Sequence, residues 1–213
     1  MNKIIESQKP GFPGISHTEA TPDGITFTAQ NDEGTFQQPR LLGYSSAIRQ
    51  LDRGEFDKSL SDGLRVVAEI QQADINGWFN PSNEQMAIVW RWIVACLFIC
   101  EQWDKNGTVD VESEGGGADR AVVYVGEHGG IVVYPATERF SLANHIEGLA
   151  IEKYGAEEGL LLAIKMYQGM TEADPDGGQL RLSQMGREGL TMLHDGFIET
   201  LNTEGIPPAP TAH

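Results

Sequence analysis

Apolar residues recur every three or four positions over most of the chain and every second position over a few short stretches, which predicts helices with small strands between them. Ile25-Thr26-Phe27-Thr28 alternates apolar with polar as a half-buried strand does, behind the turn Thr21-Pro22-Asp23-Gly24. Asn31-Asp32-Glu33-Gly34 is a second turn signal, and Thr35-Phe36-Gln37 would return as the partner strand of a hairpin. From Ser45 the spacing is helical, first to about Gly54 and then from Glu55 to Asp74, where Phe56, Leu60, Leu64, Val67 and Ile70 share a face.

Gly77 and Pro81 break that pattern, and Ser82-Asn83-Glu84-Gln85 sets Ser and Gln at the spacing of a capping box. The next helix, from Met86 to about Trp103, is apolar nearly all round and is expected at the centre of the fold. Its unbroken apolar part, Trp92 to Cys100, falls short of the roughly 20 residues that cross a bilayer.

Beyond Asn106-Gly107 the period shortens to two. Thr108 to Glu112, Arg120 to Val125 and Ile131 to Tyr134 predict a three-stranded antiparallel meander joined by Gly-rich turns and ended by Pro135. Helices are then expected over Leu142 to Tyr154, with Gly155 as the stop, and over Glu157 to Gln168. After the loop Asp174-Pro175-Asp176-Gly177-Gly178, a last helix runs from Gln184 to Asn202. Its Gly186, Gly189 and Gly196 each cost about 1 kcal/mol relative to Ala, and close approach of another backbone would compensate.

The segregation of strands from helices defines an α+β class: a helical core with a small antiparallel sheet, made of an N-terminal hairpin and the meander. Residues 1–22, broken by Pro10, Gly11, Pro13 and Gly14, read as an extended arm; 23–205 form a single domain; 206–213 are a Pro-rich tail.

Motifs exclude more chemistry than they suggest. Cys96 and Cys100 sit four apart in an apolar run, which is neither the CxxC of a zinc or redox site nor a disulfide framework, so buried, inert thiols are expected. The five histidines have no paired spacing, and no metal site or cofactor is predicted. Gly43-Tyr44-Ser45-Ser46-Ala47 approximates a nucleophile elbow but ends in Ala, and the HGG segment at His128 comes after it where a hydrolase would place it first. No Gly-Lys pair exists for a phosphate loop. Counted from Asp174, a calcium loop would need Gly where Gln179 stands and Glu where Met185 stands. The expectation is a protein that is not an enzyme.

Charge is what remains. The chain carries 31 acidic against 15 basic residues, a net of -16. Residues 1–100 hold 12 acidic and 8 basic, and 101–213 hold 19 and 7. Direct binding to nucleic acid or anionic membrane is disfavoured, because phosphate binding runs on Lys and Arg. The start Met1-Asn2-Lys3-Ile4-Ile5-Glu6 lacks the apolar stretch of a secretory signal, which points to the cytoplasm of the producing cell or a host.

The densest acid lies in Glu101 to Arg120, where strand alternation puts Asp110, Glu112 and Glu114 on one face. Asp104, Asp119 and Glu127 extend it. Such a face serves solubility, or it occupies a basic, nucleic-acid-binding surface of another protein, as a nucleic-acid mimic, an immunity protein or an anti-CRISPR or antirestriction inhibitor does. The second is the expectation; a small hydrolase-like enzyme with an unrecognised site and an assembly chaperone are the alternatives. Leu190, Leu193, Phe197 and Leu201, at helical spacing, offer a face for homodimerisation.

Overall fold

Helix α3, Asn83–Asn106, is apolar on nearly every side because protein surrounds it on nearly every side. The computed structural model describes residues 15–29, 39–57, 59–107, 109–112, 118–126, 129–175 and 180–204. Through them α3 separates two hydrophobic cores. Val89, Trp92, Ile93, Cys96 and Ile99 face the first, with α1 (Tyr44–Asp52) and α2 (Leu60–Ile75). Val94, Ala95 and Phe98 face the second, with Leu142, Tyr167, Leu182 and Leu190. By length and composition α3 would span a bilayer, but 61% of its most apolar window is buried within the protein.

Its start is fixed as the sequence dictates. The Gln85 amide donates to Ser82 Oγ at 3.2 Å and the Ser82 amide to Gln85 Oε1 at 3.0 Å, a complete capping box. Cys96 and Cys100 are buried and free. The hydrogen bond to Cys100, and then burial, push the Cys96 thiol well above its ordinary pKa, which favours its protonated form. Gly63 of α2 lies where a Cβ would stand 2.4 Å from the Trp92 ring, so a bare backbone there lets the indole fill the first core.

The fold is α+β, a helical core with small antiparallel sheets. The first sheet has the order β1 (Ile15–Thr21), β2 (Gly24–Ala29), β3 (Arg40–Leu42). The turn Pro22-Asp23 therefore joins β2 to a strand inside the predicted arm, while Thr35-Phe36-Gln37 lies outside the described residues. Glu69 of α2 explains why β1 docks: it accepts from the Ala20 amide at 2.8 Å and from Thr18 Oγ1 at 2.9 Å.

The second sheet is the predicted meander, β4 (Val109–Glu112), β5 (Ala118–Gly126) and β6 (Gly129–Val133), antiparallel in that order. Two boundaries differ from the pattern's expectation for physical reasons. Helix α2 begins at Leu60, not Glu55, because Gly54 adopts a left-handed φ of 74° and Asp57 is drawn to the buried Arg139. Pro135 ends β6 but also opens α4 (Pro135–Leu142), as proline does at a first helical position.

A π turn, Ala143–Gly148, joins α4 to α5 (Leu149–Tyr154), and α6 (Ala156–Gly169) comes next. The loop at Asp174 belongs to a hairpin of β7 (Thr171–Ala173) and β8 (Leu180–Leu182), which leads into α7 (Gln184–Glu204).

Candidate functional site

The meander's register sorts its acidic positions. Asp110 pairs with Arg120, Val111 with Asp119 and Glu112 with Ala118. Directly paired residues share a side of the pleat, so positions 110 and 112 lie together with a cation position, 120, directly opposite 110. Position 119 falls on the other side. The side holding 110 and 112 continues along β5 to Val122 and Tyr124, which pack against the first core. Asp104 stands apart, exposed on the last turn of α3. Glu114 and Glu127 lie outside the described residues.

Acid that is exposed in the described residues gathers further along the chain. Glu152, Glu157, Glu158, Glu188, Asp195 and Glu199 are all exposed on α5, α6 and α7. Among these helices the exposed cations are Lys153 and Lys165. Arg181 on β8 is held by Glu172 at 2.7 Å, and Arg187 on α7 reaches back to Glu101 of α3 at 2.9 Å. The two arginines are thus each paired with an acid of the same chain, and among the described residues of these helices exposed carboxylates outnumber exposed lysines six to two.

The predicted self-association face of α7 turns inward at Leu190. Leu190 is 1% exposed within the second core, so it is not available to a second copy. Leu193 and Phe197 are half-buried, with the Phe197 ring 6.1 Å from that of His194. Leu201 lies in the helix, its side chain outside the described residues.

Three polar contacts inside the protein, centred on Arg91, Arg139 and His194, had no signal in the sequence beyond the presence of Arg91 in an apolar run. Arg91 Nη1 lies 2.8 Å from both Glu147 oxygens and its Nη2 lies 2.7 Å from Asp52. Tyr167 donates to Glu147 Oε1 at 2.8 Å. A π turn carries one residue more than an α turn, which rotates the succeeding helix by roughly 100°. Glu147 lies within that turn and faces inward while His145 stays exposed. With its oxygens engaged by Arg91 and Tyr167, Glu147 binds helices together.

The second pair joins Asp57 to Arg139. The third joins His194 Nδ1 of α7 to Glu138 Oε1 of α4 at 2.8 Å, both side chains 5% exposed. The His194 ring lies on Tyr124 of β5, centroids 3.7 Å apart, so this cluster ties the meander to α7. Among the described residues no three His, Cys, Asp or Glu side chains converge to hold a metal ion.

Burial, then the nearby carboxylates of Glu147 for Tyr167 and of Glu138 and Asp195 for Tyr124, raises both phenols well above the ordinary 10.0. Above that value the unfolded chain releases protons that the folded chain retains, so stability is full below about pH 10 and is lost as pH rises. The limiting slope is about 1.4 kcal/mol per pH unit for each tyrosine. Urea unfolding midpoints should therefore fall from pH 9 to pH 11, and Tyr167→Phe should flatten that fall. Equal midpoints across the range would show that these phenols ionise freely in the folded protein.

No family model, curated protein or solved structure matches this chain.

Proposed function

We propose that this protein acts by binding, not catalysis, and that its acidic surface occupies a basic, nucleic-acid-binding surface of another protein. One observation carries the reading: among the described residues of α5, α6 and α7 six carboxylates are exposed against two exposed lysines, while Arg91 and Arg139 are tied to inward acids and Arg187 and the exposed Arg181 are each paired with an acid of the same chain. Solubility would be served by charges of both signs; a surface poor in cations presents mainly one sign to an approaching partner. Such a field speeds encounter with a basic surface and repels nucleic acid and anionic lipid.

The test is capture of partners from lysate at about 50 mM salt, then washes to about 500 mM, over which exposed charges lose most of their reach. The expected partners are basic, nucleic-acid-binding proteins released as salt rises, and competed by the nucleic acid they normally hold. Partners that are neutral, or that stay bound throughout, would overturn the reading.

A further inference from the structure

The outer face of α7 carries an apolar stripe that remains exposed among the described residues. Met185, Gly189, Met192 and Gly196 succeed one another at intervals of four, three and four, which places them along a single helix face. Met185 is 58% exposed and Met192 is 74% exposed. Leaving aside the helix's own backbone and the chain neighbours, no atom of the described residues lies within 4 Å of a Cβ built at Gly196, and at Gly189 only Met170 Cε comes as near as 4.0 Å. The stripe is thus two flexible thioethers with bare backbone between and beyond them.

It continues onto the neighbouring helix. Met185 Cε lies 3.1 Å from where a Gly169 Cβ would stand, and Met166 and Leu162, one and two turns back along α6, are 41% and 36% exposed. Along one flank of the stripe runs an acid row, Glu188, Asp195 and Glu199, at spacings of seven and four. All three are exposed, and the one cation of α7, Arg187, is turned away to Glu101.

Resting on the binding role proposed above, we infer that this stripe and its acid row dock a basic amphipathic α-helix of the partner protein. The apolar positions from Met185 to Gly196 span about 17 Å, three turns of a partner helix. Helix-in-groove recognition reads anchors at such i, i+4, i+7 positions. Methionine adapts to the anchors' shapes, and the glycines let a second backbone come close. Charge selects the occupant. A second copy of α7 laid antiparallel would set Glu188, Asp195 and Glu199 against their own equivalents, whereas a helix with Lys or Arg beside its apolar face meets opposite charge along the full row.

The test uses the full chain and two synthetic probes of equal positive charge: an 18-residue Leu/Lys amphipathic helix and an unstructured Gly/Lys peptide. The helix should bind more tightly, and the variant Met185→Ser with Met192→Ser should weaken it by about tenfold or more at every salt concentration, leaving the Gly/Lys peptide unaffected. Replacing Glu188, Asp195 and Glu199 by Gln, Asn and Gln should flatten the salt dependence of helix binding. All five positions are exposed, so unchanged thermal unfolding will show that the variants fold. Equal binding of the two probes, or helix binding indifferent to the serines, would overturn the docking site and leave the acidic binding role standing. Binding of neither probe at about 50 mM salt would overturn both, since charge attraction is strongest there. A dimer in sedimentation that the serines dissolve would assign the stripe to a second copy and overturn the basic helix.

Discussion

Arg91→Ala is expected to destabilise the protein by about 3 to 5 kcal/mol, the cost of leaving a buried carboxylate without its cation. The carboxylate is Glu147, 11% exposed, to which Arg91 donates at 2.8 Å. After the substitution its one strong donor would be the Tyr167 hydroxyl. Asp52, the other partner, is 47% exposed and gains little from the pair, since water screens it. For a chain of this length the loss corresponds to roughly 10 °C in Tm. Arg91→Lys, which keeps the charge but not the fork that spans both partners, should fall between. The double variant Arg91→Met with Glu147→Leu should recover most of the loss, because a buried pair replaced by apolar residues of similar size is close to neutral. A loss under about 1 kcal/mol for Arg91→Ala, measured by urea unfolding, would show that the network behaves as a surface pair.

That network also shows where reading the sequence stops. Helix α3 is legible because its signals are local: Ser82 and Gln85 three apart, then apolar residues on every side. The meander is legible for the same reason, its alternation falling between glycine turns. Arg91 and Glu147 stand 56 residues apart and meet through a π turn that no local pattern announces. Strand β1 reads as part of an arm because its docking on α2 runs through Glu69, about fifty residues on. Pro135 serves two elements at once, and local pattern reveals only its role as a breaker.

The candidate site obeys the same division. Composition locates the surplus of acid in the second half of the chain, but the pairing of Asp110 with Arg120 and of Val111 with Asp119 is a matter of register, which alternation within one strand cannot supply. Likewise the spacing of Leu190, Leu193 and Phe197 identifies an apolar face of α7 correctly, and the fold spends it on the core and on His194. What the helix leaves outside is the opposite face, where Met185 and Met192 lie.

Two of the three glycines of α7, Gly196 and Gly186, are expected to respond with opposite signs. Gly196→Ala should stabilise by about 1 kcal/mol, since nothing surrounds the new methyl and alanine is the better helix former. Gly186→Ala should instead destabilise by about 3 kcal/mol, the upper end of what an extra carbon forced into a packed site costs. Its Cβ would stand 2.3 Å from the carbonyl oxygen of Met170. That oxygen has little room to retreat, because it accepts from the Ser183 amide at 2.8 Å, and Ser183 Oγ in turn accepts from the Gly186 amide at 3.1 Å. The first turn of α7 would have to lift from the end of α6, loosening Arg187 from Glu101 and Leu190 from the second core. Denaturant unfolding of the two variants side by side measures the difference, about 4 kcal/mol in all. If both stabilise, α7 is not seated on Met170. The bare backbone at Gly186 is then no anchor, and the outward presentation of Met185 and Met192, which depends on that seating, loses its support.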